Sequence, residues 1–285
     1  MEEINLKVLT AIRTRYGGFS KAHKRIADVI LSDYKEVITM SISDIARKAE
    51  TSETTIMRFL KEIGFDSYQL FKVSLAQEIV EQPSNALYED IEEGDSINQI
   101  KQKIIHSTTI AIEDIDKLND EETIRHVVDS FERANKIFFF GVGASGAIAL
   151  DAFHKFLRLG LNVGYSSDSH LMSIMCSHAG ENDLIFAVSH SGESREIIDA
   201  ITLAKDKGAK IISMTSYQNS TLAKLSDITL LSSTRETKYR PDAMTSRIVQ
   251  CAIIDIVYVV FALRMGPKAI EKVNISRLAV AKKKK

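Results

Sequence analysis

The chain has 285 residues, of which 45% are hydrophobic and 26% charged, and its formal net charge is −1. That length suffices for two domains, and that balance excludes a disordered, collagen-like or disulfide-stapled chain. Cys176 and Cys251 lie far apart and suit a reducing cytoplasm, with no disulfide framework and no zinc motif expected.

Charge is unevenly placed. Residues 1–80 carry 12 basic and 11 acidic side chains, residues 81–122 carry 3 and 12, and residues 123–285 carry 22 and 15. The acidic stretch holds Pro83, Ser84, Asn85 and Gly94 and reads as a connector. Beyond it, Ile100, Ile104, Ile105, Ile110, Ile112, Ile115 and Leu118 stand at helical spacing, which predicts a helix packed on the C-terminal domain. The expected organisation is a domain over 1–80, an acidic linker and connecting helix over 81–122, and a second domain over 123–285.

Nothing in residues 1–80 reads as a strand. Ser20 is the predicted N-cap of a helix whose apolar face is Ile26, Val29, Ile30 and Leu31. A short helix comes next over 41–49, with Ile42, Ile45, Ala46 and Ala49 on one side. After a turn at Glu50-Thr51, Ser52 caps a third helix with Ile56, Phe59 and Leu60 inward and Gly64 ending it. Thr54, Thr55, Arg58 and Lys61 then face outward. Two short helices across a tight turn form a helix-turn-helix, whose second helix sets side chains against base edges and phosphates of an operator DNA. The candidate DNA-binding residues are Lys48, Ser52, Thr54, Thr55, Arg58 and Lys61, with Lys24, Arg25 and Arg47 adding local positive charge. A plain helical hairpin with a solvated polar face has the same pattern, and the near-neutral charge of this segment keeps it open.

From Ile137 onward the pattern alternates. Strands are predicted at 136–140, 162–166, 184–189, 210–215 and 227–231, and helices at 145–158, 169–178, 194–207, 219–224 and 244–264. This is the signature of a parallel sheet flanked by helices. The apolar run 251–263 is broken by Asp255 and is too short to span a membrane, so a core helix or half of a dimer interface is expected. No secretory signal is expected either.

Two strand-to-helix turns carry the chemistry. Ile137-Phe138-Phe139-Phe140 runs into Gly141-Val142-Gly143-Ala144-Ser145-Gly146, and the strand ending at Val188 runs into Ser189-His190-Ser191-Gly192-Glu193-Ser194. Glycines admit a close ligand, backbone N–H groups at a helix start attract an anion, and hydroxyls complete its shell. Two such turns on one sheet can converge on one ligand. Either turn alone also fits an ordinary serine N-cap. Gly141-x-Gly143-x-x-Gly146 with Asp168 further fits a dinucleotide fingerprint, which would make the chain an NAD(H)-sensing redox repressor. His190, Glu193 and Glu236 are conceivable acid–base groups for a phosphosugar isomerase, although His190 reads better as a ligand contact and Glu193 as a charge favouring the next helix N-terminus. The histidines show no metal spacing.

Taken together, Ser189-x-Ser191-Gly192-x-Ser194 and the glycine turn ending in Ser145 resemble the phosphate-binding loops of the sugar isomerase (SIS) domain. Ser52-x-Thr54-Thr55-x-x-Arg58-Phe59 with Gly64-Phe65 after it resembles the N-terminal domain of the MurR/RpiR transcriptional regulators. The resemblance covers nearly the whole chain. It implies an all-α helix-turn-helix domain, then an α/β SIS domain with a five-stranded parallel sheet. It implies a cytoplasmic, non-enzymatic regulator of sugar-phosphate or amino-sugar metabolism. The partners would be operator DNA and a phosphorylated sugar or amino-sugar effector, in a homodimer with a tetramer left open, with no membrane, metal or cofactor. By position, Gly143, Ser145, Ser189, Ser191, Gly192 and Ser194 would bind the phosphate, and His190 and Glu236 would contact the sugar. Ser194 stands where threonine is more usual, and His190 where glutamine is.

Overall fold

The computed structural model describes residues 8–81, 91, 94–232 and 244–281. Two compact units divide the chain, with the change-over between Thr109 and Ile110.

Among its described residues, the regular structure of the first unit is all helical. It comprises α1 (Val8–Arg15), a short 3-10 turn (Tyr16–Gly18), α2 (Lys21–Ser32), α3 (Tyr34–Val37), α4 (Ile42–Lys48), α5 (Glu53–Glu62), α6 (Tyr68–Glu81) and the start of α7 (Ile97–Leu118). Caps explain several boundaries. Ser20, Asp33, Ser41 and Ser52 each accept a hydrogen bond from the backbone N–H three residues on, and Asp44 closes a capping box by bonding back to Ser41 N–H. The core joins Ile26, Ile30, Ile45, Ile56, Phe59, Leu60 and Phe71. Val29 and Leu31, expected in the inner face of α2, are only partly buried, and Ala27 takes the central place. The first and sixth helices lacked a distinct sequence signal and emerge from packing.

The second unit contains the rest of α7, then α8 (Glu121–Arg133), β1 (Lys136–Gly141), α9 (Ala144–Arg158), β2 (Val163–Ser166), α10 (Ser169–Ser177), β3 (Asp183–Val188), α11 (Arg195–Asp206), β4 (Lys210–Thr215), α12 (Thr221–Leu225), β5 (Ile228–Leu231), α13 (Met244–Met265) and α14 (Pro267–Ala281). The five strands are parallel in the order β2-β1-β3-β4-β5. One face of the sheet is covered by α7, α8, α9 and α13 around Phe131, Phe139, Phe156 and Phe186, and the other by α10, α11 and α12 around Phe140, Met172 and Ile201. Strands covered on both faces need continuous apolar runs, which is why Phe138-Phe139-Phe140 and Leu184-Ile185-Phe186 stand out in the sequence. The edge strand β5 is closed by Asn119, whose amide donates to Leu231 O at 2.9 Å and accepts from Leu231 N at 2.8 Å.

α13 departs from the expectation of a short apolar run. At 22 residues it is long and apolar enough to cross a membrane by length and composition. Its side chains Val249, Ile253, Ile254, Val257 and Phe261 nevertheless enter the core of this unit. α14 had no sequence expectation, although Pro267 at its first position is a helix-start signal.

Candidate functional site

Among the described residues, four helices begin directly after strands at the carboxyl edge of the sheet, and their first turns are treated in two ways. Asp168 caps α10 by accepting from Leu171 N–H at 2.9 Å, and Ser220 caps α12 by accepting from Ala223 N–H at 3.3 Å. α9 starts at Gly143 and α11 at Ser194, and neither receives a side-chain cap. The N–H groups at the start of α9 and α11 therefore lack side-chain acceptors, and each helix dipole adds positive potential there. The alternative of ordinary serine caps at these turns fails for a geometric reason. Ser145 lies inside α9 rather than ahead of it, and the Ser194 hydroxyl lies 3.1 Å from Ser189 Oγ instead of over its own helix.

β1 and β3 are neighbours, and their register sets Gly141 opposite Val188. The turns after them are thus adjacent. They lead to helices on opposite faces, because α9 joins one core and α11 the other. This is a switch point of an open parallel sheet, where such folds bind ligands.

The first turn is open. Gly143 has φ +54°, and a Cβ there would meet nothing within 4 Å. Ser145 is buried, and its hydroxyl has no hydrogen-bond partner among the described residues. The second turn is dense. Gly192 has φ +65°, and a Cβ would sit 2.2 Å from Ser220 Oγ. Gly192 N–H donates to Ser189 Oγ at 3.1 Å, and Glu193 N–H donates to Ser191 Oγ at 3.2 Å. Ser189 is buried, Ser191 is exposed, and Ser194 is intermediate. Six of the expected phosphate residues, Gly143, Ser145, Ser189, Ser191, Gly192 and Ser194, thus lie on two adjacent turns.

The other expected residues fare differently. Glu193 does not serve α11. Both its carboxylate oxygens accept from Thr221, one from the N–H and one from the hydroxyl, each at 2.8 Å, at the start of α12. Asp168 comes after β2 and spends its carboxylate on capping α10, and the strand order differs from the 3-2-1-4-5-6 order of dinucleotide folds. Glu236 lies outside the described residues. His190 belongs to a polar chain that sequence reasoning missed. Its Nδ1 lies 2.9 Å from Ser216 Oγ, which lies 2.8 Å from Ser232 Oγ, and Ser232 accepts from Gln250 Nε2 at 3.3 Å. These partners are distant in sequence, and only strand order unites them. Burial pushes the Cys176 thiol up to about 12, so it stays protonated, and the Cys251 thiol is raised by the same cause.

In the first unit, α4 and α5 form the helix-turn-helix. The turn after α4 carries Glu50 at φ 49°, and Thr51 N–H returns to Ala46 O at 2.9 Å. A non-glycine residue in this conformation carries strain of about 1 kcal/mol. Arg25 holds the turn, donating from Nε to Ala49 O and from a terminal nitrogen to Glu50 O, both at 2.9 Å. Arg25 is thus tied to the turn rather than to the outer charge of the unit. α5 ends at Gly64 with φ +97°, where Phe65 N–H returns to Leu60 O at 2.8 Å. Thr54, Arg58 and Lys61 are exposed, whereas Thr55 is half-buried and bonded to Ser52. Lys48 pairs with Glu36 at 2.6 Å, and Arg47 with Asp44 at 3.1 Å. Arg58 and Lys61 make no ion pair among the described residues, so they are the open cations of α5.

Comparison with known proteins agrees with both halves. Residues 6–82 match the helix-turn-helix domain of the rpiR family, and residues 130–260 match the SIS domain. The chain is 44% identical over 282 residues to an uncharacterized HTH-type transcriptional regulator of Thermotoga maritima, covering 98% of this chain and 100% of that one. It is 34% identical over 263 residues to the HTH-type transcriptional regulator HexR of Pseudomonas aeruginosa, covering 91% and 90%. The structure of the Vibrio vulnificus NanR protein complexed with ManNAc-6P is similar, with a TM-score of 0.61, 27% identity, and coverage of 96% of this chain and 98% of that one. A helix-turn-helix with open cations and a switch-point sheet with two uncapped helix starts thus occur in the order these relatives share. The chain belongs to the RpiR family of HTH-type transcriptional regulators, with an N-terminal helix-turn-helix and a C-terminal SIS domain.

Proposed function

We propose that the SIS domain is a sensor for a phosphorylated sugar or amino sugar, and that its occupancy alters operator binding by the helix-turn-helix. The observation that carries this reading is the selective lack of caps. Of the four helices seen among the described residues to start at the sheet edge, the two beside the switch point lack side-chain acceptors, and those two come directly after the hydroxyl-rich turns. Gly143, Ser145, Ser189, Ser191, Gly192 and Ser194 would hold the phosphate, with His190 toward the sugar. Ser52, Thr54, Thr55, Arg58, Lys61 and Lys48 would face operator DNA. The relatives named as regulators and the ManNAc-6P held by NanR support this reading.

Sensing rather than catalysis is favoured by Glu193, whose carboxylate is consumed by Thr221 and so is not poised as a base. No metal or organic cofactor enters the scheme, and the setting is the cytoplasm. A homodimer would cover the exposed stripe of Ile248, Ile256, Val259 and Leu263 on α13.

A thermal-shift panel of phosphorylated hexoses, pentoses and amino sugars, including ManNAc-6P, tests the site. A ligand at about 100 times its Kd should add about 2.7 kcal/mol to stability. Stabilisation by NAD(H) alone would replace the sugar reading with the redox one, and turnover of a sugar phosphate by the purified chain would make the site an isomerase.

A further inference from the structure

α5 is held at both ends by side chains that other helices supply. Arg25 of α2 binds the turn ahead of it, at Ala49 O and Glu50 O. At the far end the last four carbonyls of α5 all have partners. Phe59 O accepts from Ile63 N–H at 3.1 Å, Leu60 O from Phe65 N–H at 2.8 Å, and Lys61 O from Gly64 N–H at 3.1 Å. The fourth, Glu62 O, accepts at 2.6 Å from the guanidinium of Arg15, the last residue of α1 and 47 positions away. A cation is the favoured neighbour of a helix carboxyl end, and a charged donor makes the stronger bond.

Glu62 carries the wrong charge for its place. A carboxylate at the last position of a helix opposes the dipole, and on a helix offered to DNA it repels phosphate. Its side chain turns to α2, where Oε2 lies 2.7 Å from His23 Nδ1; an ionised carboxylate can only accept, so the ring nitrogen donates. The His23 ring stands edge-on to Phe19 and Phe59, with centroids 6.2 and 5.6 Å away, and both phenyl rings are buried. Packing thus fixes the donor, and only 15% of the His23 side chain is exposed. Gly64 and the return of Phe65 N–H to Leu60 O already end the helix. What Arg15 and His23 add is placement of that end against α1 and α2.

We propose that Arg15 and His23 are positioning residues for DNA recognition, which clamp Glu62 and so fix the direction in which Arg58 and Lys61 leave α5. The inference rests on the DNA reading above. Base edges are read only by side chains held at the right place and angle, whereas sequence-independent binding needs only the charges. Loosening the clamp therefore lowers discrimination between sequences more than it lowers general affinity. The rival role for Arg15 is a direct grip on a phosphate.

Fluorescence anisotropy on the full chain decides, with a duplex that the wild type selects from a random-sequence library and a scrambled duplex of the same composition. Arg15→Met should weaken the selected duplex roughly tenfold and the scrambled one by less than about twofold, with the salt dependence unchanged. A direct phosphate contact would instead weaken both and lower the salt slope by about one. His23→Leu should lose the same discrimination, and His23→Asn, which keeps a donor near the Nδ1 position, should retain most of it. Arg15→Met joined to Arg58→Ala should lose less than the product of the separate losses, because the clamp acts through Arg58. A lowered salt slope, losses that multiply, or equal losses in the two His23 variants overturns the clamp. Circular dichroism melts check folding, and if Arg15→Met does not fold the His23 pair decides alone. If the wild type selects no duplex, the DNA reading falls and the clamp's role with it. A selected duplex that the wild type and the variants bind equally well overturns the clamp alone.

Discussion

In the first unit α5 begins at Ser52, whose hydroxyl accepts from Thr55 N–H at 3.2 Å. In the second unit α11 begins at Ser194, whose hydroxyl turns to Ser189 at 3.1 Å and leaves its own helix uncapped. The same residue type occupies the same cap position in both. One serine stabilises the helix that, in the proposed function, would present side chains to DNA. The other leaves amides at a helix start available to an anion. A recognition helix reads through its side chains and gains from a rigid start, whereas the proposed phosphate site would use the N–H groups at the start of α11, which no side chain caps even though Gly192 and Glu193 N–H are taken by serines of the turn.

The sharpest way to break this comparison is to fill the dense turn. Gly192→Ala puts a Cβ on Ser220 in a left-handed conformation, and roughly 3–4 kcal/mol of stability should be lost through strain and overpacking combined. Gly143→Ala in the open turn meets no atom and should cost only about 1–2 kcal/mol, the strain alone. Chemical denaturation of the two variants measures the difference, and equal losses would mean that the turns are built alike.

A second pair separates the two units by function. Arg58→Ala should weaken operator binding on the order of tenfold while sugar-phosphate affinity survives. Ser191→Ala should abolish the response to sugar phosphate while operator binding survives. Fluorescence anisotropy with labelled operator, with and without effector, reads both, and a variant that loses both activities would contradict the separation.

The caps themselves can be compared directly. Ser52→Ala should cost about 1 kcal/mol, the usual worth of an N-cap. Ser194→Ala removes no cap and should change the stability of the ligand-free chain by less, while reducing its stabilisation by the effector. Thermal melts with and without ligand distinguish the two.

Acid sensitivity gives the smallest effect. The Asp120 carboxylate caps α8 and is held below its ordinary value by hydrogen bonds from Thr123. A lowered folded pKa contributes stability above the unfolded value near 3.9, and that contribution is lost as pH falls through the folded one. Asp120→Asn keeps a capping oxygen but does not titrate, so its stability should fall less steeply on acidification below about pH 4. Parallel acid titrations of the two proteins, monitored by circular dichroism, measure the slopes.

Most of the secondary structure could be read locally, because local rules produce it. The run Phe138-Phe139-Phe140, followed at once by a glycine turn, reads as a strand buried on both faces, and Ser41, Ser52 and Gly64 mark helix ends by geometry any chain would obey. The two hydroxyl-rich turns were visible for the same reason, since glycine and serine at a strand-to-helix junction are a short-range signal. Where each polar group spends its hydrogen bonds depended on distant partners. Glu193 serves α12 and not α11, Arg25 holds the turn at Glu50, Asn119 closes the edge of β5, and His190 reaches Gln250 through two strand ends. Periodicity records which face of an element is apolar, but it carries no register between elements. The pairing of Gly141 with Val188 and the order β2-β1-β3-β4-β5 supplied that register, and through it decided which amides stay open and which side chains are already engaged.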